Sequence, residues 1–156
     1  MKGSHLMGGM LVFAAMFGAA LWYFQNYAYY TITTPKDFPI PMTLVRGGTQ
    51  PILGHGYRIL DAQTSPLKFR ACFTADNSIP MMTETYKVYE KPTPLEPPSW
   101  FTCFDVKKLS DDLASGKAVA FLSKRNIADG VDQVVAVYDD GRAYAWRQLN
   151  KKFADK

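Results

Sequence analysis

Nineteen residues without a charge, LMGGMLVFAAMFGAALWYF from Leu6 to Phe24, restrict what this chain can become more than any other segment. A helix rises about 1.5 Å per residue, so this run approaches the roughly 30 Å hydrocarbon core of a bilayer. No further charge follows until Lys36. Trp22, Tyr23, Phe24, Tyr27, Tyr29 and Tyr30 crowd its far end. Amphipathic rings at a helix end compose an interfacial belt, with Trp22, Tyr23, Tyr27, Tyr29 and Tyr30 as the anchoring side chains. The run therefore predicts a transmembrane helix held in a lipid bilayer. The competing reading is a cleaved signal peptide, with Lys2 as its basic start and Gly18-Ala19-Ala20 as its small-residue cleavage site. Rings directly after that site suit an anchor better than a mature terminus. GSHLM near the start also reads as an expression scar, which touches only the first few residues.

Small residues give the helix a second property. Ala14 and Gly18, and likewise Ala15 and Ala19, stand four apart on one stripe, where they let another helix approach closely. Partner helices from other membrane subunits are therefore expected, although alanine and glycine are also simply common in such helices. Lys2 and the partly basic His5 precede the run, which favours an amino terminus in the cytoplasm and a domain outside.

The remainder reads as one small folded domain. Aromatics at 14% against 21% charged residues argue for a packed core and against disorder. The net charge of +4 is spread without a basic run or interleaved stacking rings, so no nucleic-acid partner is expected. The chain divides into an anchor at 1–30, a stiff proline-containing connector at 31–41, an extracytoplasmic domain at 42–150 and a basic tail at 151–156. Gly54-His55-Gly56 reads as a turn before a strand GYRILDA. PLKFRACFT alternates Leu67, Phe69, Ala71 and Phe73 against Lys68, Arg70, Cys72 and Thr74, the pattern of a half-buried strand. MTETYKVYE, residues 82–90, is expected to return antiparallel to it. The four prolines of 91–98 exclude a sheet ladder and predict a surface loop. Asp105 caps a helix VKKLSDDLASG that Gly116 stops, with Val106, Leu109 and Leu113 on one stripe. KAVAFLS is then a strand, and two more meet at Asp139-Asp140-Gly141, a strong hairpin signal. The fold class is α+β: one N-terminal transmembrane helix, then a mainly antiparallel β domain with one packed helix.

The chemistry-bearing residues are few. Cys72 and Cys103 stand about thirty residues apart, which is no CxxC motif, and two histidines do not complete a zinc set. A structural disulfide is the expected state, implying an oxidising compartment. Free buried thiols and a reactive or metal-binding pair remain alternatives. His55 reads as an exposed turn residue. Met81-Met82 lacks the paired spacing of a copper site. Asp111-Asp112 is expected on the solvent face of its helix, Asp139-Asp140 in a turn, and Glu84 and Glu90 add no partner. Without a Ser-His-Asp order, a phosphate loop or HExxH, no enzymatic activity, cofactor or metal is expected. The tail NKKFADK reads as a solvated terminus or an interaction handle.

SPLKFRACF (65–73), WFTCFD (100–105), FLSKRNIADGVDQVVAVYDDGRAYAWRQLN (121–150) and the YAYY segment resemble an uncharacterised family of short alphaproteobacterial membrane proteins, sometimes mislabelled histidine kinase. The glycine boxes and phospho-acceptor context of a kinase are absent from these residues. The resemblance implies a bacterial inner membrane, with the domain in the periplasm. The expected function is a non-enzymatic, single-pass accessory subunit of an energy-transducing complex, respiratory before photosynthetic. The alternative is a periplasmic thiol-redox or copper-delivery factor using Cys72 and Cys103.

Overall fold

A computed structural model describes residues 3–154. Met1, Lys2, Asp155 and Lys156 lie outside them, and with them the orientation argument from Lys2 and the end of the basic tail. The chain forms two compact units, one ending at Tyr30 and the other starting at Thr31.

The first unit is a helix, α1, over Gly3–Asn26. It contains no proline and no run of β-branched residues, so nothing in the sequence interrupts the hydrogen-bond ladder. Its 24 residues span about 36 Å, enough to cross a bilayer, and none is buried within the protein. At its end Trp22 and Tyr23 pack on Tyr27, with ring centroids 5.1 and 6.2 Å apart, and Phe24 stacks on Tyr29 at 6.1 Å.

The second unit is built on a six-stranded sheet in the order β1-β4-β5-β8-β7-β6. The strands are β1 (Tyr30–Thr33), β4 (Gly54–Ala62), β5 (Arg70–Ala75), β6 (Ala118–Ala128), β7 (Val131–Tyr138) and β8 (Arg142–Leu149). The pairings from β4 through to β6 are antiparallel. A separate hairpin joins β2 (Ile40–Thr43) to β3 (Thr49–Ile52). The architecture is α+β. The β7–β8 hairpin closes at Asp139-Asp140-Gly141, where Gly141 adopts φ 90° and donates to the Tyr138 carbonyl. α3 covers Val106–Ala114. The Asp105 carboxylate caps it by accepting from Lys108 N at 3.0 Å, and Gly116 leaves it at φ 79°.

Both faces of the sheet are covered. On one, Ala71, Phe73, Val135, Val137, Ala143 and Ala145 pack under Ile40, Met42 and Ile52 of the β2–β3 hairpin and under Met82 and Tyr86. On the other, Tyr144 and Trp146 meet Phe104, with centroids 5.8 and 6.4 Å away. This explains β7, whose eight residues are all buried: a central strand covered on both sides loses its polar alternation.

Four segments differ from the expectation. Residues 82–90 are not one strand. Ile79–Thr85 forms a helix, α2, with Ser78 at its cap position and Pro80 in its first turn. Met82 and Tyr86, four apart, bury one side of that turn, and only Leu44↔Tyr86 and Val88↔Phe121 pair as isolated bridges. Gly54-His55-Gly56 is part of β4, not a turn before it, and the ladder shifts register between His55 and Arg58. A Cβ at Gly54 would lie 2.5 Å from the Thr74 carbonyl, so the two strands meet there only because the residue is glycine. Pro66–Lys68 is a 3-10 turn, and β5, expected to be half-buried, is buried on both faces. Within the proline segment 31–41, Thr31–Thr33 lie in β1, Ile40 and Pro41 open β2, and Phe38 packs on the core.

Candidate functional site

The proline loop and the SWFTCFD segment form a strap across the second face of the sheet. Two buried side chains, Arg70 and Gln148, grip its backbone, and a third, Trp146, holds Gln148. Arg70 Nε donates to the Leu95 carbonyl at 2.8 Å. Gln148 Oε1 accepts from Thr93 N at 2.8 Å, and its Nε2 donates to the Lys91 carbonyl at 3.0 Å. Trp146 Nε1 donates to the same Gln148 oxygen at 2.9 Å, which holds the amide in place. Proline-rich backbone has few N–H groups of its own, so side chains from the sheet supply the missing donors. Phe101 and Phe104 then turn inward beneath Arg58 and Arg70, whose guanidiniums sit 5.9 and 5.8 Å from the ring centroids. The far end of the strap is held covalently: Cys72 and Cys103 are joined by a disulfide, Cα to Cα 6.4 Å. Cys72 is 8% exposed.

The near end of the strap borders a polar node. Asp132 is completely buried in β7. Its Oδ2 accepts from the Tyr89 hydroxyl at 3.0 Å and from Arg125 Nη1 at 3.2 Å. Its Oδ1 accepts from Asn126 N at 3.0 Å and from Asn150 Nδ2 at 2.9 Å. Two donors on each oxygen offset the cost of taking a carboxylate out of water. Asn126 adopts φ 50° to present its amide, and Asn150 Nδ2 also reaches Asn126 Oδ1 at 2.7 Å. Burial, with the adjacent Asp132 charge second, pushes the Tyr89 phenol up to about 12, so its hydroxyl remains a donor.

Above this node lies a cavity of about 510 Å³ lined by Val88, Tyr89, Lys91, Arg125, Leu149 and Lys151 among others. A smaller cavity of about 260 Å³ lies between α3 and the β7–β8 turn. At its edge Asp112, expected on the solvent face, turns inward instead and accepts from the Tyr138 hydroxyl at 2.8 Å. That hydrogen bond is the main cause holding the Asp112 carboxyl below its ordinary range. Burial, then the bond to Asp112, raises the Tyr138 phenol. Asp111 alone of that pair is exposed.

The remaining expected residues lie apart. Ala14, Gly18, Ala15 and Ala19 lie along α1, and a Cβ at Gly18 would meet nothing within 4 Å. His55 Nδ1 pairs with Asp76 Oδ1 at 3.0 Å on the surface. Met81 is exposed while Met82 is core. Among the described residues no group of three or more His, Cys, Asp or Glu side chains is placed to hold a metal. Lys151–Ala154 forms a helical turn, capped where Asn150 Oδ1 accepts from Lys152 N at 3.0 Å.

Asp132, Gln148 and Arg70 were missed by sequence reasoning. For Asp132 a signal was available: VDQVVAVY carries an acid inside an otherwise largely apolar run, and a buried acid needs donors gathered around it.

A family model described as "Family of unknown function (DUF6446)" matches residues 40–156, nearly the whole of the second unit. No curated protein and no solved structure matches the chain.

Proposed function

The chain belongs to that family of unknown function, and from this premise we propose that it is a non-enzymatic, single-pass accessory subunit of an inner-membrane complex. Its domain stands on the periplasmic side and stabilises the assembly or docks a partner. The observation that carries the reading is the surface of α1. Met10, Leu11, Phe13, Met16 and Phe17 are each more than half exposed. Apolar surface of this extent is stable only against lipid or other helices. The open stripe at Gly18 supplies a place for one of those helices.

The Cys72–Cys103 bond supports an oxidising compartment for the domain, and hence the outward orientation. The thiol-redox alternative would have to act through Cys103, which is half-buried, since Cys72 is sequestered beneath the strap. An energy-transducing complex, respiratory ahead of photosynthetic, is the assembly proposed first, on the kind of bacterium the resemblance implies.

Gentle detergent extraction of the tagged full chain, followed by native electrophoresis, tests this directly. The chain is expected to migrate with larger membrane partners. Gly18→Leu, at a position open within the chain itself, should reduce the recovered partners several-fold without changing the thermal unfolding of the domain. A wild-type chain that migrates alone as a monomer overturns the proposal.

A further inference from the structure

The cavity over Asp132 plays no part in the assembly reading, yet it is more organised than strap anchoring requires. Its floor is rigid, because Gln148 holds Lys91 and Thr93 by their backbones and Trp146 holds Gln148. Its charge is unbalanced. Among the described residues, Lys91, Arg125 and Lys151 line it against Glu90, and the buried Asp132 carboxylate lies beneath Arg125, leaving a net positive charge of one. Asp132 beneath presents no vacant acceptor, since both its oxygens already accept two donors each.

Arg125 is the oriented group. Nη1 is tied to Asp132, while the side chain stays 57% exposed. A guanidinium carries five N–H donors in a planar fork, so one committed nitrogen leaves a face suited to a second carboxylate. The cavity also has an apolar side: Val88 is 52% exposed and Leu149 40%. A structural role for Asp132 explains the buried node. It does not explain three cations and two bare aliphatic side chains around one preformed space of about 510 Å³, a volume within the roughly 300–1,000 Å³ of small-molecule pockets.

We propose that this cavity binds a small amphipathic organic carboxylate. The carboxylate sits on Arg125, Lys91 and Lys151 add long-range attraction, and the apolar body lies against Val88 and Leu149. Inorganic phosphate would leave the apolar contacts unmade, and a neutral isostere would offer the exposed side of the guanidinium no charged acceptor. The site is independent of the assembly reading, because every residue in it comes from the one domain.

The test uses the ¹⁵N-labelled full chain in phosphatidylcholine nanodiscs, with phenylacetate as probe. The readouts are the Trp146 indole N–H, which is bonded to the cavity residue Gln148, and the Thr93 amide. Phenylacetate should shift both resonances saturably, and phenylacetamide should bind roughly tenfold more weakly or worse, the scale of one lost charge-assisted hydrogen bond. Arg125→Gln, which removes the guanidinium, should weaken phenylacetate by a similar factor. Lys151→Gln, at an exposed position, should weaken it a few-fold and provides a second readout if the Arg125 variant does not fold. Absence of a saturable shift, equal binding of the amide, binding of inorganic phosphate as tight as phenylacetate, or indifference to both substitutions would each overturn the proposal.

Discussion

Asp111 and Asp112 are neighbours on one helix with opposite fates. Asp111 is exposed, whereas Asp112 lies 2.8 Å from the Tyr138 hydroxyl with Lys108 and Lys117 nearby. The consequence is a pH dependence of known sign. The folded carboxyl titrates below its unfolded value of about 3.9, so between the two values the unfolded chain binds the extra proton. Asp112 therefore contributes its full stability above about pH 4 and loses it as pH falls through the lowered folded value. Urea midpoints measured from neutral pH down to pH 2 should show wild type and Asp112→Asn far apart at neutral pH and converging in acid. Parallel curves would contradict the assignment. The adjacent pair was legible as a pair of acids on a helix. Which of them turns inward was not, because that depends on a tyrosine 26 residues further along.

At the scale of elements, the strap shows how one covalent bond and three buried side chains convert a proline loop into a covering layer. Cys72 and Cys103 enclose a separation of 31 residues, for which the chain-entropy model gives about 3–4 kcal/mol of stabilisation. The double variant Cys72→Ala/Cys103→Ala should lose about that much in urea unfolding. It should also be cleaved faster by protease within residues 91–98, mapped by mass spectrometry of the fragments. Unchanged cleavage there would mean that Arg70 and Gln148 hold the strap unaided. The same scale holds the clearest misreading. MTETYKVYE has a strand-like period, but Ser78, Pro80 and the i, i+4 pair Met82–Tyr86 specify a helical turn. Propensity over a short window yielded to the burial of two large side chains.

At the scale of the molecule, the two units differ in what satisfies their surfaces. The second closes its own core around Trp146, Phe121 and Tyr86, each 2% exposed or less. Residues 31–156, exported without the helix, are therefore expected to remain soluble without detergent, form the same disulfide and unfold in one cooperative thermal transition. Aggregation or a non-cooperative melt of this fragment would show that the domain depends on its anchor.

The sequence by itself determined the elements whose signals are local. The apolar run of α1, the Asp105 cap with its glycine stop, and the Asp139-Asp140-Gly141 hairpin each follow from hydropathy, capping or backbone preference over a few neighbouring residues. Only the tertiary structure decided which sheet faces are covered, that Arg70, Asp132 and Gln148 lie inside, and where the cavity opens. A polar side chain is stable inside only when donors and acceptors from distant segments converge on it. Tyr89, Arg125, Asn126 and Asn150 meet at Asp132 by folding, not by spacing along the chain.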